Sequence, residues 1–121
     1  MKSILLVEDD PLIVEIYTTK LQESGFQVEN VVNGKDVFEK LKEKRYDLLI
    51  LDIVLPYLTG FEILRKIRKD EKFKDLRVLM LSNLSQKTDI ALAKKLGAAG
   101  YLIKANFTPS EVIEEIKKIL A

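Results

Sequence analysis

The 121-residue chain contains no cysteine and no histidine. Without thiols there is neither a disulfide framework nor a thiolate metal centre. Without imidazole the usual neutral-pH acid–base group and the commonest zinc ligand are both missing. An excess of charge of one sign is missing too. Twenty Lys and Arg face 19 Asp and Glu, a formal net charge of +1, so no global field steers the chain onto nucleic acid or an anionic membrane. No stretch approaches the ~20 apolar residues of a membrane-spanning helix. The opening MKSILLVEDDP has a short apolar run broken by acids where a signal peptide needs a longer one and a cleavage site. The expectation is a cytoplasmic domain whose chemistry comes from carboxylates, hydroxyls and lysines.

With 47% hydrophobic residues the chain can bury a substantial core, and its length is that of one domain. No Ser/Pro-rich linker, repeat or low-complexity tract divides it, so residues 1–121 read as a single unit. Short apolar runs at Ile4–Val7, Gln27–Val31, Leu48–Leu51, Val78–Leu81 and Gly100–Ile103 are too short for helices. Most lack the polar alternation of half-exposed strands, which predicts the buried strands of a parallel sheet. Amphipathic stretches lie between them: Pro11–Ser24, Gly34–Lys44, Phe61–Arg68, Thr88–Leu96, and a last one from Pro109 in which Val112, Ile113, Ile116, Ile119 and Leu120 share a face. Asp10 before Pro11, and Thr108 before Pro109 with Glu111 beyond, are helix N-terminal signals, while Gly25 and Gly97 stand where helices end. Parallel strands need crossover connections, so the prediction is a doubly wound α/β domain, a five-stranded parallel sheet between two layers of helices.

In such a sheet ligands bind at the carboxyl ends of the strands. The first strand ends in Glu8-Asp9-Asp10, the third in Asp52, the fourth in Ser82-Asn83 and the fifth in Lys104. Asp52 is the most telling. It follows LLIL directly and is followed by IVLP, and Phe61, where the next helix is predicted to start, is nine positions away. A capping role therefore suits Thr59 better. Asp10 is assigned to capping, which leaves Glu8 and Asp9 for the site, although acids beside a helix N-terminus often only complement its dipole. Three carboxylates in one place repel by roughly 4 kcal/mol per close pair, and a hard cation with oxygen ligands, Mg²⁺ rather than Ca²⁺, would relieve this. Lys104 would add a fixed positive charge for Asp52 or for an incoming phosphoryl group, although a strand-end lysine is commonly just solvated. Such a pocket suits phosphoryl transfer with Asp52 as nucleophile.

The segments ILLVEDDP, DLLILDIVLPYLTGFEILRKIR, VLMLS and GAAGYLIK, in this order and spacing, resemble the receiver domain of two-component response regulators over essentially the whole chain. The resemblance implies a flavodoxin-like sheet of order 2-1-3-4-5, with Asp52 as phosphoacceptor. It implies Mg²⁺ held by Asp9, Asp52 and the Val54 backbone carbonyl, with Glu8 acting largely through water. Ser82 and Lys104 would each contact a phosphoryl oxygen, and Tyr101 would be an aromatic switch that turns inward with Ser82, where the plainer reading is a half-buried strand tyrosine.

It further implies a sensor histidine kinase or phosphotransfer protein as phosphoryl donor, and a downstream protein target meeting the surface of the fourth helix, fifth strand and fifth helix near Lys94, Lys95, Tyr101 and Glu115. Neither direct nucleic-acid nor membrane contact is expected, and the state is monomeric or a phosphorylation-dependent dimer. Such a domain catalyses its own phosphotransfer and a slow autodephosphorylation, slow here because apolar Val54 and Leu84 cannot position water; otherwise it is not an enzyme. One departure stands out. Receivers usually follow the lysine with a cis proline, and here the residue is Ala105. A degenerate receiver serving only as a scaffold is the alternative. A flavodoxin is disfavoured because three acids would repel its cofactor's phosphate, and a haloacid-dehalogenase-type phosphatase because the first strand lacks Asp-x-Asp. Arg65–Arg77 holds seven Lys/Arg interleaved with three Asp/Glu, which reads as a solvated helix end.

Overall fold

Apolar residues on both faces of a strand require cover on both sides, and the chain provides it. The computed structural model describes residues 1–121. Five strands, β1 (Ser3–Val7), β2 (Gln27–Val31), β3 (Leu48–Leu51), β4 (Val78–Ser82) and β5 (Gly100–Ile103), pair in parallel in the order β2-β1-β3-β4-β5. Between them run α1 (Pro11–Glu23), α2 (Gly34–Glu43), α3 (Gly60–Lys69) and α4 (Lys87–Lys95). A 3₁₀ turn, Lys104–Asn106, leads from β5 to α5 (Pro109–Leu120).

The side-chain alternation of each strand divides the core in two. Leu5, Val7, Leu49, Leu51, Val78 and Met80 pack with Val37, Leu41, Ile63, Leu64, Ile67 and Ala93 of α2, α3 and α4. Ile4, Leu6, Leu48, Ile50, Leu79, Leu81 and Leu102 pack with Tyr17 and Leu21 of α1 and Val112, Ile113, Ile116 and Leu120 of α5. The three-layer sandwich and strand order are those predicted, and the element boundaries differ from the sequence reading by one residue at most. α3 begins at Gly60, one residue early, because Thr59 caps it with a full capping box to Glu62. Asp10 accepts from the Leu12 amide at 3.0 Å, and Thr108 forms the second capping box with Glu111, both as predicted. Gly25 and Gly97 end α1 and α4 with φ of +92° and +74°. No helix is long and apolar enough to cross a membrane.

One side chain locks the far end of α3. Arg68 donates to the carbonyls of Leu96, Gly97, Lys74 and Leu76 at 2.7–3.0 Å. The two loops that precede β4 and β5 are thereby held to the helix at the starts of these strands, the ends opposite Ser82 and Lys104.

Candidate functional site

Glu8, Asp52 and Lys104 each continue the alternation of their strand beyond its last residue. Glu8 keeps the parity of Ile4 and Leu6, Asp52 that of Leu48 and Ile50, and Lys104 that of Leu102, all of which face α1 and α5. Three residues remote in sequence thus emerge on one side of the sheet edge and meet. Lys104 Nζ lies 2.5 Å from Glu8 Oε1 and 2.8 Å from Asp52 Oδ2, and the three side chains are only 12%, 4% and 10% exposed. Asp52 Oδ1 accepts from the Ile53 amide at 2.6 Å and more weakly from Val54 at 3.4 Å. Glu8 Oε2 accepts from the amides of Asp9 and Asp10 at 3.0 and 3.3 Å.

Two buried carboxylates around one ammonium would repel each other without it, and the electrostatics reflect this. Burial pushes the Glu8 carboxyl above its ordinary range, the Lys104 hydrogen bond and charge and the Asp10 amide pull it back down, and the Asp52 charge raises it again, with burial prevailing. Burial alone would lower the Lys104 ammonium, but its hydrogen bonds and charge pairs with Asp52 and Glu8 outweigh that and leave its pKa raised. The lysine stays charged while carboxylates surround it.

The other two predicted residues stand on the opposite side. Ser82 shares the parity of Met80, facing α2 to α4, and is buried, its Oγ accepting from the Leu84 amide at 3.3 Å. Tyr101, paired with Met80 in the sheet, packs on the same core and donates its hydroxyl to the Leu84 carbonyl at 2.6 Å. Burial, with the charges of Asp89 and Asp52, raises the Tyr101 pKa, which keeps the hydroxyl a donor. Ser82 and Tyr101 therefore grip one loop residue from its two backbone groups.

Asp9 is exposed, and no group of three or more acidic side chains is spaced to hold a metal ion by itself. Val54 is 64% exposed at the mouth of the site. The donor chemistry nonetheless fits a hard divalent ion. Glu8, Asp9 and Asp52 carry three negative charges against the single positive charge of Lys104, every available donor is oxygen, and a hydrated ion needs few protein ligands. The Lys104–Ala105 peptide is trans, like every other in the chain.

Two positioning residues escaped the sequence reading. Gly60 packs so closely on β3's exit that a Cβ there would lie 2.2 Å from the Asp52 carbonyl oxygen, and its amide donates to the Ile53 carbonyl at 2.8 Å. Only glycine lets α3 start against the backbone of Asp52, and the T-G-F step was the available signal. Asn30 Nδ2 donates to the carbonyls of Leu6, Glu8 and Val31 at 3.0–3.2 Å, fixing the end of β1. It lies in QVENV, a strand with two other polar residues, so nothing in the sequence marked it out.

Comparison with known proteins agrees with this geometry. The chain matches the sequence profile of the response regulator receiver domain over residues 4–117. It is 40% identical over 119 residues to the transcriptional regulatory protein GltR of Pseudomonas aeruginosa, covering 98% of this chain and 49% of that one. To PilH of the same organism it is 34% identical over 104 residues, 86% of each chain. The chain spans about half the length of most of the curated relatives it matches. Among solved structures, the chemotaxis protein CheY4 of Vibrio cholerae is 29% identical with a TM-score of 0.90 over 99% of both chains. A CheY-like receiver domain protein from Methanospirillum hungatei is 27% identical, with a TM-score of 0.90 over 99% of this chain and 94% of that one. Fold, strand-end residues and sequence thus converge, and the chain belongs to the response regulator receiver domain family of two-component signalling.

Proposed function

We propose that the chain is a phosphorylation switch whose phosphoacceptor is Asp52. A carboxylate oxygen of Asp52 attacks phosphorus, the bond to the donor nitrogen of a phosphohistidine breaks, and an acyl phosphate forms on the aspartate. The donor is a sensor histidine kinase or a phosphotransfer protein. The observation that carries this reading is the buried Asp52–Lys104–Glu8 cluster, in which a nearly enclosed carboxylate is held at one oxygen by backbone amides and at the other by an ammonium.

Lys104 is already in place to neutralise charge that develops on phosphoryl oxygens, without reorganisation at the moment of transfer. Ser82 supplies a hydroxyl to one phosphoryl oxygen. Because its Oγ now receives the Leu84 amide, turning toward the phosphoryl group releases that loop, and Tyr101 follows through the Leu84 carbonyl. Glu8, Asp9, Asp52 and the Val54 carbonyl would hold Mg²⁺, which when bound supplies counter-charge to the transferring group.

The changed surface lies on α4, β5 and α5, where Lys94 and Lys95 are exposed and Glu115 pairs with Lys118 at 3.4 Å, and a downstream protein reads it by contact. Couplings of ~1–3 kcal/mol shift a two-state equilibrium without flipping it, so partner binding completes the transition.

Mass spectrometry after treatment with acetyl phosphate and Mg²⁺ tests the reading. Wild type should gain one phosphoryl mass and Asp52→Asn none. Equal labelling of both would overturn it by placing the phosphoryl group on another residue, and labelling of neither would overturn it and leave the scaffold reading standing.

A further inference from the structure

Between the charged cluster and the Ser82–Tyr101 pair lies one side chain that neither group uses. Asn83 follows Ser82 directly, where β4 ends, and its Oδ1 accepts from the Ala105 amide at 3.1 Å. Ala105 follows Lys104 directly. The bond thus joins the residue beside the switch hydroxyl to the residue beside the site lysine, two points 22 positions apart in sequence. It exists only because residue 105 is not proline, since proline has no amide hydrogen to donate.

The backbone that carries Lys104 has few other anchors on its outgoing side. The next local bond, from the Phe107 amide to the Lys104 carbonyl, is long at 3.4 Å, and Asn106 and Thr108 are exposed. Strand pairing holds the incoming side, where Ile103 stands in register with Ser82. Lys104 has to deliver its ammonium to within hydrogen-bond reach of two acids, and its long side chain acts as a lever that magnifies any rotation of the backbone at Nζ.

We propose that Asn83 is the positioning residue for Lys104. Through the Ala105 amide it fixes the backbone bearing the lysine with a trans peptide, and it ties that backbone to the segment that moves when Ser82 engages a phosphoryl group. Phosphoryl binding is therefore sensed by both loops together. The proposal rests on Asp52 being the phosphoacceptor.

The experiment compares wild type, Asn83→Ala, Asn83→Asp, Ala105→Pro and the Asn83→Ala/Ala105→Pro double variant. Two quantities are read: hydrogen exchange of the Ala105 amide by ¹H–¹⁵N NMR, and the rate of adduct formation from acetyl phosphate with Mg²⁺. Asn83→Ala should speed Ala105 exchange and slow phosphorylation about 3- to 10-fold, the kinetic equivalent of one modest hydrogen bond. Asn83→Asp, which keeps an acceptor oxygen, should restore both. In the Ala105→Pro background, Asn83→Ala should slow phosphorylation no further.

The proposal is overturned if Asn83→Ala leaves Ala105 exchange unchanged, if it leaves the phosphorylation rate unchanged, or if it acts equally strongly with proline at 105. Wild-type labelling separates these failures from that of the functional reading. An adduct on wild type with Asn83→Ala unaffected removes the role of Asn83 alone, whereas no adduct on wild type removes the phosphoacceptor and this proposal with it.

Discussion

Lys104→Met removes the ammonium at the site and keeps an unbranched apolar stem of similar length. In the native protein that ammonium stands 2.5 Å from Glu8 and 2.8 Å from Asp52, with all three side chains at most 12% exposed. At an effective dielectric near 20 each contact represents about 6 kcal/mol of gross attraction, most of which offsets the desolvation of the ions. What the variant exposes is the remainder: two buried carboxylates without a partner, repelling each other. Breaking a buried pair in this way costs about 3–5 kcal/mol.

For a domain of this size that corresponds to a fall in melting temperature of roughly 12–20 °C, or a shift in urea midpoint of about 2 M at unchanged m. Asp52→Asn leaves Lys104 paired with Glu8 and removes the repulsion, so it should cost only about 1 kcal/mol. Mg²⁺ adds a second discriminating arm. An ion that binds the folded state stabilises it by mass action, about 2.7 kcal/mol at a hundredfold excess over Kd. In Lys104→Met the freed carboxylates should make that gain larger than in wild type. A loss below about 1 kcal/mol without divalent ions, or an identical Mg²⁺ gain in both proteins, would show that the cluster is solvated and that Lys104 is not its counter-charge.

Gly60→Ala should cost about 3 kcal/mol or more in urea denaturation, because the added Cβ meets the Asp52 carbonyl and the Ile53 Cα, backbone atoms that cannot yield cheaply; a change under 1 kcal/mol would contradict the close approach. Tyr57 holds φ of +70° while 75% exposed, its ring 4.5 Å from the Lys35 ammonium. Left-handed backbone costs a side-chain-bearing residue about 1–2 kcal/mol, and the lysine contact returns about 0.5 kcal/mol. Tyr57→Asn should therefore raise stability by about 0.5 kcal/mol and Tyr57→Val lower it by about 1 kcal/mol, and equal values would refute the backbone assignment.

Tyr46, buried, donates its hydroxyl to half-exposed Glu29. That hydrogen bond, with help from Lys44 and Lys40, holds Glu29 below its ordinary 4.5, while burial and the same bond raise Tyr46 above 10. The depressed carboxylate contributes stability above pH ~4.5 that is lost as pH falls through its folded-state pKa, and the raised phenol contributes below pH ~10 and is lost as pH rises further. Tyr46→Phe should cost about 1 kcal/mol at pH 7 and less at pH 3.5 by urea denaturation. A cost independent of pH would point to packing alone.

Much of the fold was legible in the chain because its signals are local. The runs at residues 4–7, 48–51 and 78–81 lack polar alternation because both faces of each strand are covered, and Thr108-Pro109 with Glu111 marks a helix start through contacts three residues apart. The ends of helices were harder to place, since α3 gains its first residue from the Thr59 cap and not from an apolar periodicity. At the site, Asp52 was conspicuous as a charge closing an apolar run. Gly60 and Asn30 were not, because their value lies in backbone atoms they approach across the fold, Asp52 for one and Leu6 and Glu8 for the other.

Sequence alone determined the five parallel strands, the two helical layers and the placement of acids, hydroxyl and lysine at strand ends, since periodicity and capping act over a few residues. Tertiary structure decided which of them touch. Strand parity sends Glu8, Asp52 and Lys104 to one side of the sheet and Ser82 with Tyr101 to the other, and it leaves Asp9 in solvent. It also turned the absence of a proline at 105 into a hydrogen bond with Asn83. Contacts of this kind span 22 to 96 positions of chain, and they exist only once every strand is in register.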